Sequence, residues 1–293
     1  MHPQSKQRNN YIGIALMAGY ALSMVTCDAT AKRLSINYDV ITVVWYRYFF
    51  HTISLIFIAC LHFLKFRETE YVENHPIQLL RGLTLVISTI FFFQSIALMP
   101  LAEALALLYV FPIVSVILCV IFLKEPFTRM QGAAVVAAFT GALLILQPTT
   151  DMSLRPGLLA ICGGVFMGIY MFLTKTSSRS ASPNMASLYT GVVGILLIPF
   201  FPNFELFKLD EDAMVMAGFM GLFAAIGHYL MFMSMRYSAA TVVSPYAFSE
   251  VLFASLIGYI WFGDTLNFMS GIAIILLITS GIIFARLSNR TNQ

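Results

Sequence analysis

Apolar runs of close to twenty residues alternate along this chain with short polar joints. A bilayer's hydrocarbon core takes about 20 apolar residues per helix. The runs predict ten membrane-spanning helices, at 11–31, 40–61, 77–98, 101–123, 131–146, 157–174, 185–201, 213–233, 239–262 and 268–285. Only Met99-Pro100 separates the third and fourth runs, and a proline disfavours helix in the residue before it. The stretches KFRETEYVEN and NFELFKLDED read as ordinary loops. The polar opening MHPQSKQRNN runs into the first apolar run with no small-residue cleavage site. That run is therefore expected to be a retained span and not a signal peptide.

The composition agrees with the pattern. The chain is 59% hydrophobic and 11% charged, with mean hydropathy +0.83. A soluble domain carries roughly 25% charged residues, so this chain has too little charge to cover a water-facing surface. The basic residues lie mostly between apolar runs, which suits membrane orientation and not nucleic-acid binding. With ten spans and an inside N-terminus, eleven of the seventeen Lys and Arg fall in inside segments. Four (Lys32, Arg33, Arg155, Lys208) fall outside, and Arg47 and Arg81 lie within spans. This excess predicts that both termini are cytoplasmic. Cys27, Cys60, Cys119 and Cys162 sit in apolar segments without CxxC spacing, so they are expected to be small buried hydrophobes. No metal or cofactor is expected.

The chain also repeats itself. FPIVSVILCVIFLKEPFTRMQG at 111–132 matches EVLFASLIGYIWFGDTLNFMSG at 250–271, which pairs Glu125 with Asp264 and Gly132 with Gly271. Upstream, ALMPLAEALALLYVFP resembles SMRYSAATVVSPYAFSE, and IGIALMAGY matches PGLLAICGG more weakly. The predicted organisation is a tail at 1–10, a five-span repeat at 11–148, a second at 149–286 and a tail at 287–293. Five is odd, so the second copy must start on the opposite side of the membrane. An inverted repeat of this kind lets two halves rock about a shared central site.

Ionisable groups inside a membrane are costly and mark functional candidates. Glu250 lies near the middle of the ninth span, with Tyr246 one turn earlier on the same face. Pro245 frees a backbone carbonyl beside them. Glu250 is read as binding a substrate cation or exchanging a proton with substrate. Its alternative is a neutral, hydrogen-bonded structural glutamate. Arg47 and His51 share a face of the second span. With Asp28 and Glu103 they form either a charged outer gate or a static network that holds helices together. Arg81, near the inner start of the third span, is expected to snorkel to the interface. His228 has no evident sequence partner and is read as a packing residue or a proton carrier. Gln94, Tyr109 and Tyr170 are expected polar groups of the cavity, and Trp45 an interfacial aromatic. Gly164 and Gly168 have GxxxG spacing, which close helix packing explains without a site.

With RYFF at 47–50, LLRG at 79–82, the 97–125 run and SAATVVSPYAFSE…FGD at 238–264, the chain resembles the drug/metabolite transporter superfamily, in its two-EamA-domain branch. RYFF, LLRG and SPYAFSE are most similar to the bacterial S-adenosylmethionine uptake-type transporters. The resemblance implies an all-α, ten-helix protein of the bacterial inner membrane. It also implies a central cavity lined by spans one to four and six to nine.

The expected function is secondary-active transport of a small organic metabolite. No GxxxxGK[ST] phosphate loop points to an ATP motor. Three buried acids against one deep arginine favour a cationic or zwitterionic solute, such as an amino acid, S-adenosylmethionine or a related amine. Import and export both fit, as do a monomer and a homodimer. A membrane-embedded enzyme would need a cluster such as HExxH or a nucleophile elbow. A passive channel would need repeated polar pore positions. Neither pattern is present.

Overall fold

The computed structural model describes residues 3–66, 71–124, 154–177, 181, 183–237, 246, 249–265 and 267–291, with isolated helical positions between 129 and 144. Most of the expected fifth span and most of the first part of the ninth, including Pro245, lie outside the described residues. The helices are α1 (Pro3–Leu34), α2 (Val40–Phe66), α3 (His75–Ile96), α4 (Leu101–Leu108), α5 (Phe111–Leu123) and α6 (Arg155–Ser177). They continue as α7 (Pro183–Leu197), α8 (Glu211–Tyr237), α9 (Ser249–Phe262) and α10 (Phe268–Thr291). Among the described residues the only extended pairing is a single bridge between Val72 and Ala181. Among the described residues six helical stretches are long and apolar enough to cross a bilayer, including Tyr11–Leu34, His75–Ile96 and Glu211–Met231. A chain in lipid must satisfy its backbone internally, and helices do so.

Local sequence sets several boundaries. Asn74 caps α3 by accepting the Ile77 N–H at 3.3 Å, with a proline in the first turn. Asp210 caps α8, its Oδ1 accepting the Ala213 N–H at 2.8 Å while Oδ2 accepts the Tyr38 hydroxyl at 2.9 Å. These bonds, the one from Ala213 first, hold the exposed Asp210 carboxyl below its ordinary pKa. A depressed folded pKa means that this cap contributes at neutral pH and is lost only as acid titrates it.

The fourth span is not one helix. It breaks between α4 and α5 at Tyr109-Val110, one residue before the Phe111-Pro112 start of α5. Pro112 has no N–H to give the Leu108 carbonyl four residues back, so α4 ends there. The sixth span fills the notch. A Cβ added at Gly164 would stand 2.6 Å from that Leu108 oxygen and 2.5 Å from Val110 Cγ1. At Gly168 it would stand 2.6 Å from Val114 Cβ. The GxxxG pair thus seats α6 against the broken span. Gly164→Ala forces an overlap worth about 1–3 kcal/mol, against at most about 1 kcal/mol of helix propensity gained. The melting temperature in detergent should fall. Gly271→Ala, whose Cβ would meet nothing within 4 Å, should leave it unchanged or raise it.

Among the described residues, helix contacts repeat when α1, α2, α3 and α4 are exchanged with α6, α7, α8 and α9. α1 packs along α8, and its counterpart α6 packs along α3. The pair α2–α8 is answered by α7–α3, and α2–α7 and α4–α9 are their own counterparts. Single bonds follow suit. Ser88 Oγ on α3 donates to the Gly163 carbonyl on α6 at 2.8 Å, and Ser234 Oγ on α8 donates to the Gly13 carbonyl on α1 at 2.7 Å. The ends of the matched segments agree too: Lys124 and Gly263 both take left-handed backbone, with φ +55° and +67°. Most helix packing is therefore between halves and not within them.

The surface is apolar, and charged groups lie inside among a hydrophobic core, unlike in a soluble protein. Phe57, Phe122, Leu196, Phe200, Tyr259 and Phe268 are exposed, whereas Asp28, Arg47, His51, Arg81 and Glu250 are buried. Cys27 and Cys119 are buried as expected, but Cys60 and Cys162 are exposed on that apolar surface. Arg81 does not snorkel. It is buried and donates to the Ala186 carbonyl of α7 at 2.7 Å, because α7 offers an acceptor nearer than the helix end.

Candidate functional site

Two clusters of polar side chains face one another inside the bundle. The first is acidic and forms where α1, α4 and α9 meet. Glu250, in the first described turn of α9, is 6% exposed. Tyr109, at the break that ends α4, donates its hydroxyl to Glu250 Oε2 at 3.0 Å. Oε1 has no close hydrogen bond among the described residues, its polar neighbour being the Tyr20 hydroxyl. Tyr20 of α1 stands beside the same carboxyl, and Asp28, two turns further along α1, lies within its electrostatic reach. The break in the fourth span therefore has a consequence: it turns a tyrosine toward the buried acid.

The second cluster is basic. Arg47 and His51, one turn apart on α2, are 6% and 4% exposed. The Arg47 guanidinium lies over the Tyr48 and Phe93 rings at 5.2 and 5.6 Å. Its NH1 reaches Thr89 only at 3.5 Å, and its Nε has no partner. Cys27 and Asp28 of α1 lie within its electrostatic reach. The His51 ring is 5.4 Å from the His228 ring of α8, at 57°. Gly221 permits this approach, since a Cβ there would be 2.6 Å from the His51 backbone nitrogen. Tyr170, Ser187 and Thr190 complete the lining. The space enclosed is about 10 Å³, at the lower limit for one water. As it stands, this centre is closed.

The structure thus brings together Glu250 with Tyr109, and Arg47 with His51, His228 and Tyr170. Arg81 stacks on Tyr170 at 5.3 Å. Asp28 stands between the clusters, within electrostatic reach of both Arg47 and Glu250. Glu103 joins neither. It occupies the first turn of α4, where the helix dipole favours an acid, and among the described residues no ion pair links it to Arg47. Tyr246 is 44% exposed and makes no described side-chain bond to Glu250. Gln94 lines a separate, mainly apolar cavity of about 350 Å³ with Ile41, Ile87, Phe91, Phe201 and Asn203. Trp45 is half-buried and donates to the Ile195 carbonyl at 3.1 Å, so it is anchored to α7.

Sequence reasoning missed Tyr20, Thr89, Ser187, Thr190 and the ion pair between Lys32 and Asp264. Tyr20, Met24, Cys27 and Asp28 recur at helical spacing, and that stripe was the available signal for Tyr20. For the others no local signal exists.

The EamA-like transporter family model matches residues 11–147 and again 155–286. A riboflavin transporter of Rhizobium johnstonii is 24% identical over 254 residues, covering 85% of this chain and 82% of its own. An S-adenosylmethionine uptake transporter of Rickettsia bellii is 21% identical, covering 86% of each chain. A pseudopaline exporter of Pseudomonas aeruginosa is also 21% identical, covering 89% of this chain and 92% of its own. One solved crystal structure superposes with TM-score 0.63 at 15% identity over 97% of each chain, a likeness of fold. With both halves matched, the chain is a multi-pass membrane protein and belongs to the EamA-like transporter family.

Proposed function

We propose that the chain is a secondary-active transporter that moves a small cationic or zwitterionic metabolite across the bacterial cytoplasmic membrane by alternating access. The two halves are inverted five-span repeats with both termini cytoplasmic. The α1–α2 and α3–α4 joints, with the C-terminal end of α9, then face outward. The observation that carries this reading is Glu250: a buried carboxyl inside an apolar helix, met by Tyr109 and Tyr20 but by no cationic side chain among the described residues, at a junction of helices from both halves. The exchange symmetry of the packing supports rocking about that junction. The relatives' names include importers and an exporter, so direction is set by gradients and by the solute.

Counterflow in reconstituted vesicles tests the reading. Vesicles preloaded with an unlabelled metabolite panel should accelerate uptake of the labelled counterpart, and a pH gradient should alter the rate. A channel gives no exchange acceleration. An enzyme gives product and not accumulated substrate.

A further inference from the structure

We infer that Arg47, His51 and His228 form an anion-binding end of the substrate site, and that the transported solute carries a carboxylate in addition to its amine. The inference deepens the proposed function and rests on it. Two observations lead to it. Among the described residues the buried Arg47 guanidinium has no partner at Nε and one long bond from NH1 to Thr89; its other hydrogen-bonding side-chain neighbours are the Cys27 thiol and Tyr48, and it is paired with no carboxylate. Among the described residues no ion pair joins it to Asp28. His51 Nε2 is likewise buried and unpartnered. A buried donor left unmet costs roughly 1–3 kcal/mol, more when charged; Arg81 shares an unpartnered Nε but has a terminal nitrogen closed by the Ala186 carbonyl at 2.7 Å, whereas the shortest side-chain bond described for Arg47 is the 3.5 Å one to Thr89.

The second observation is the surroundings. The donors share a cavity with Tyr48, Leu85, Tyr170, Ser187 and Thr190, and among the described residues no acid lines it. A guanidinium fork, two imidazoles and hydroxyls match a planar carboxylate. Glu250 and Asp28, the latter within electrostatic reach of Arg47, form an acidic cluster that matches an ammonium. A zwitterion with both groups on one small carbon frame meets both ends. In the closed centre Asp28 stands in electrostatic reach of Arg47 in place of the ligand. Since only about 10 Å³ is open, a solute enters when the halves part.

Matched pairs supply the test: L-methionine against 3-methylthiopropylamine, L-lysine against cadaverine, and S-adenosylmethionine against its decarboxylated form. In wild-type vesicles the carboxylate member of at least one pair should drive counterflow at least about tenfold better than its amine. Arg47→Gln should erase that preference by lowering exchange of the acid and sparing the amine. His228→Asn, at a less deeply buried position than Arg47, should reduce the preference severalfold. It keeps the inference testable if Arg47→Gln does not fold. Equal exchange of acid and amine by wild type, or equal losses for both in the variants, overturns the carboxylate end and leaves the transporter reading standing. No counterflow with any member overturns both.

Discussion

Glu250→Gln is expected to reduce counterflow at least about thirtyfold while the protein still inserts, folds and elutes as a single species. Glutamine keeps the shape of glutamate and still accepts the Tyr109 hydroxyl at the position of Oε2. What it loses is the charge, and the ability to take up and release a proton. Removing one member of a desolvated charge pair typically costs about 2–5 kcal/mol. At about 1.4 kcal/mol per factor of ten, that is roughly thirtyfold or more. Tyr109→Phe should cost less, because it removes one bond and leaves the carboxylate. Unchanged kinetics in a folded Glu250→Gln protein would return Glu250 to the role of a packing residue, and the transport mechanism would need another centre.

How much of this was legible beforehand differs by kind of interaction. The six described stretches long enough to cross a bilayer were legible from run length, because hydrophobic burial in lipid is a local property of twenty consecutive residues. The packing role of Gly164 and Gly168 was legible for the same reason, as four-residue spacing puts both on one helix face. Glu250 stood out because an acid in an apolar run has a cost that composition alone reveals. The partners did not stand out. Tyr109 meets Glu250 across 141 positions of sequence, and its direction depends on the break that Pro112 imposes. His228 found His51 only because the backbone at Gly221 lets α8 lie against α2. Glu103 looked like a member of the Arg47 network by depth, but rotation about the α4 axis decides contact, and depth carries no information about rotation. Charges were misjudged in the same way. The electrostatic link at the end where α1 finishes is made by Lys32, which the orientation count had treated as a loop residue.

That link makes the second large prediction. Lys32 Nζ lies 2.8 Å from Asp264 Oδ2 and donates to the Met99 carbonyl at 3.1 Å, over the Phe262 ring at 4.7 Å. Asp264 Oδ2 also accepts the Leu101 N–H at 3.2 Å. Gly263, in left-handed backbone, ends α9 with the Asp264 N–H returned to the Gly258 carbonyl. This motif turns the carboxylate back over the bundle. One pair thus ties α1, the α3–α4 joint and α9 together across the two halves. The side chains are only 12% and 18% exposed. Breaking the pair should therefore cost more than the 0–1 kcal/mol of a surface pair and less than the 3–5 kcal/mol of a fully buried one. At about 2 kcal/mol, Lys32→Met should raise the population opened at this end by roughly thirtyfold. Cys27, buried on α1 five residues before Lys32, reads that opening. In a protein lacking Cys60, Cys119 and Cys162, a membrane-impermeant maleimide should label Cys27 at least about tenfold faster in Lys32→Met. The charge-swapped pair Lys32→Asp with Asp264→Lys should not restore slow labelling. An aspartate at 32 would face the Met99 carbonyl, and a lysine at 264 would face the Leu101 N–H, so the polarity of the pair is fixed by the backbone around it. Labelling as slow in Lys32→Met as in the parent protein, or full rescue by the swap, would mean that the pair does not hold this end closed.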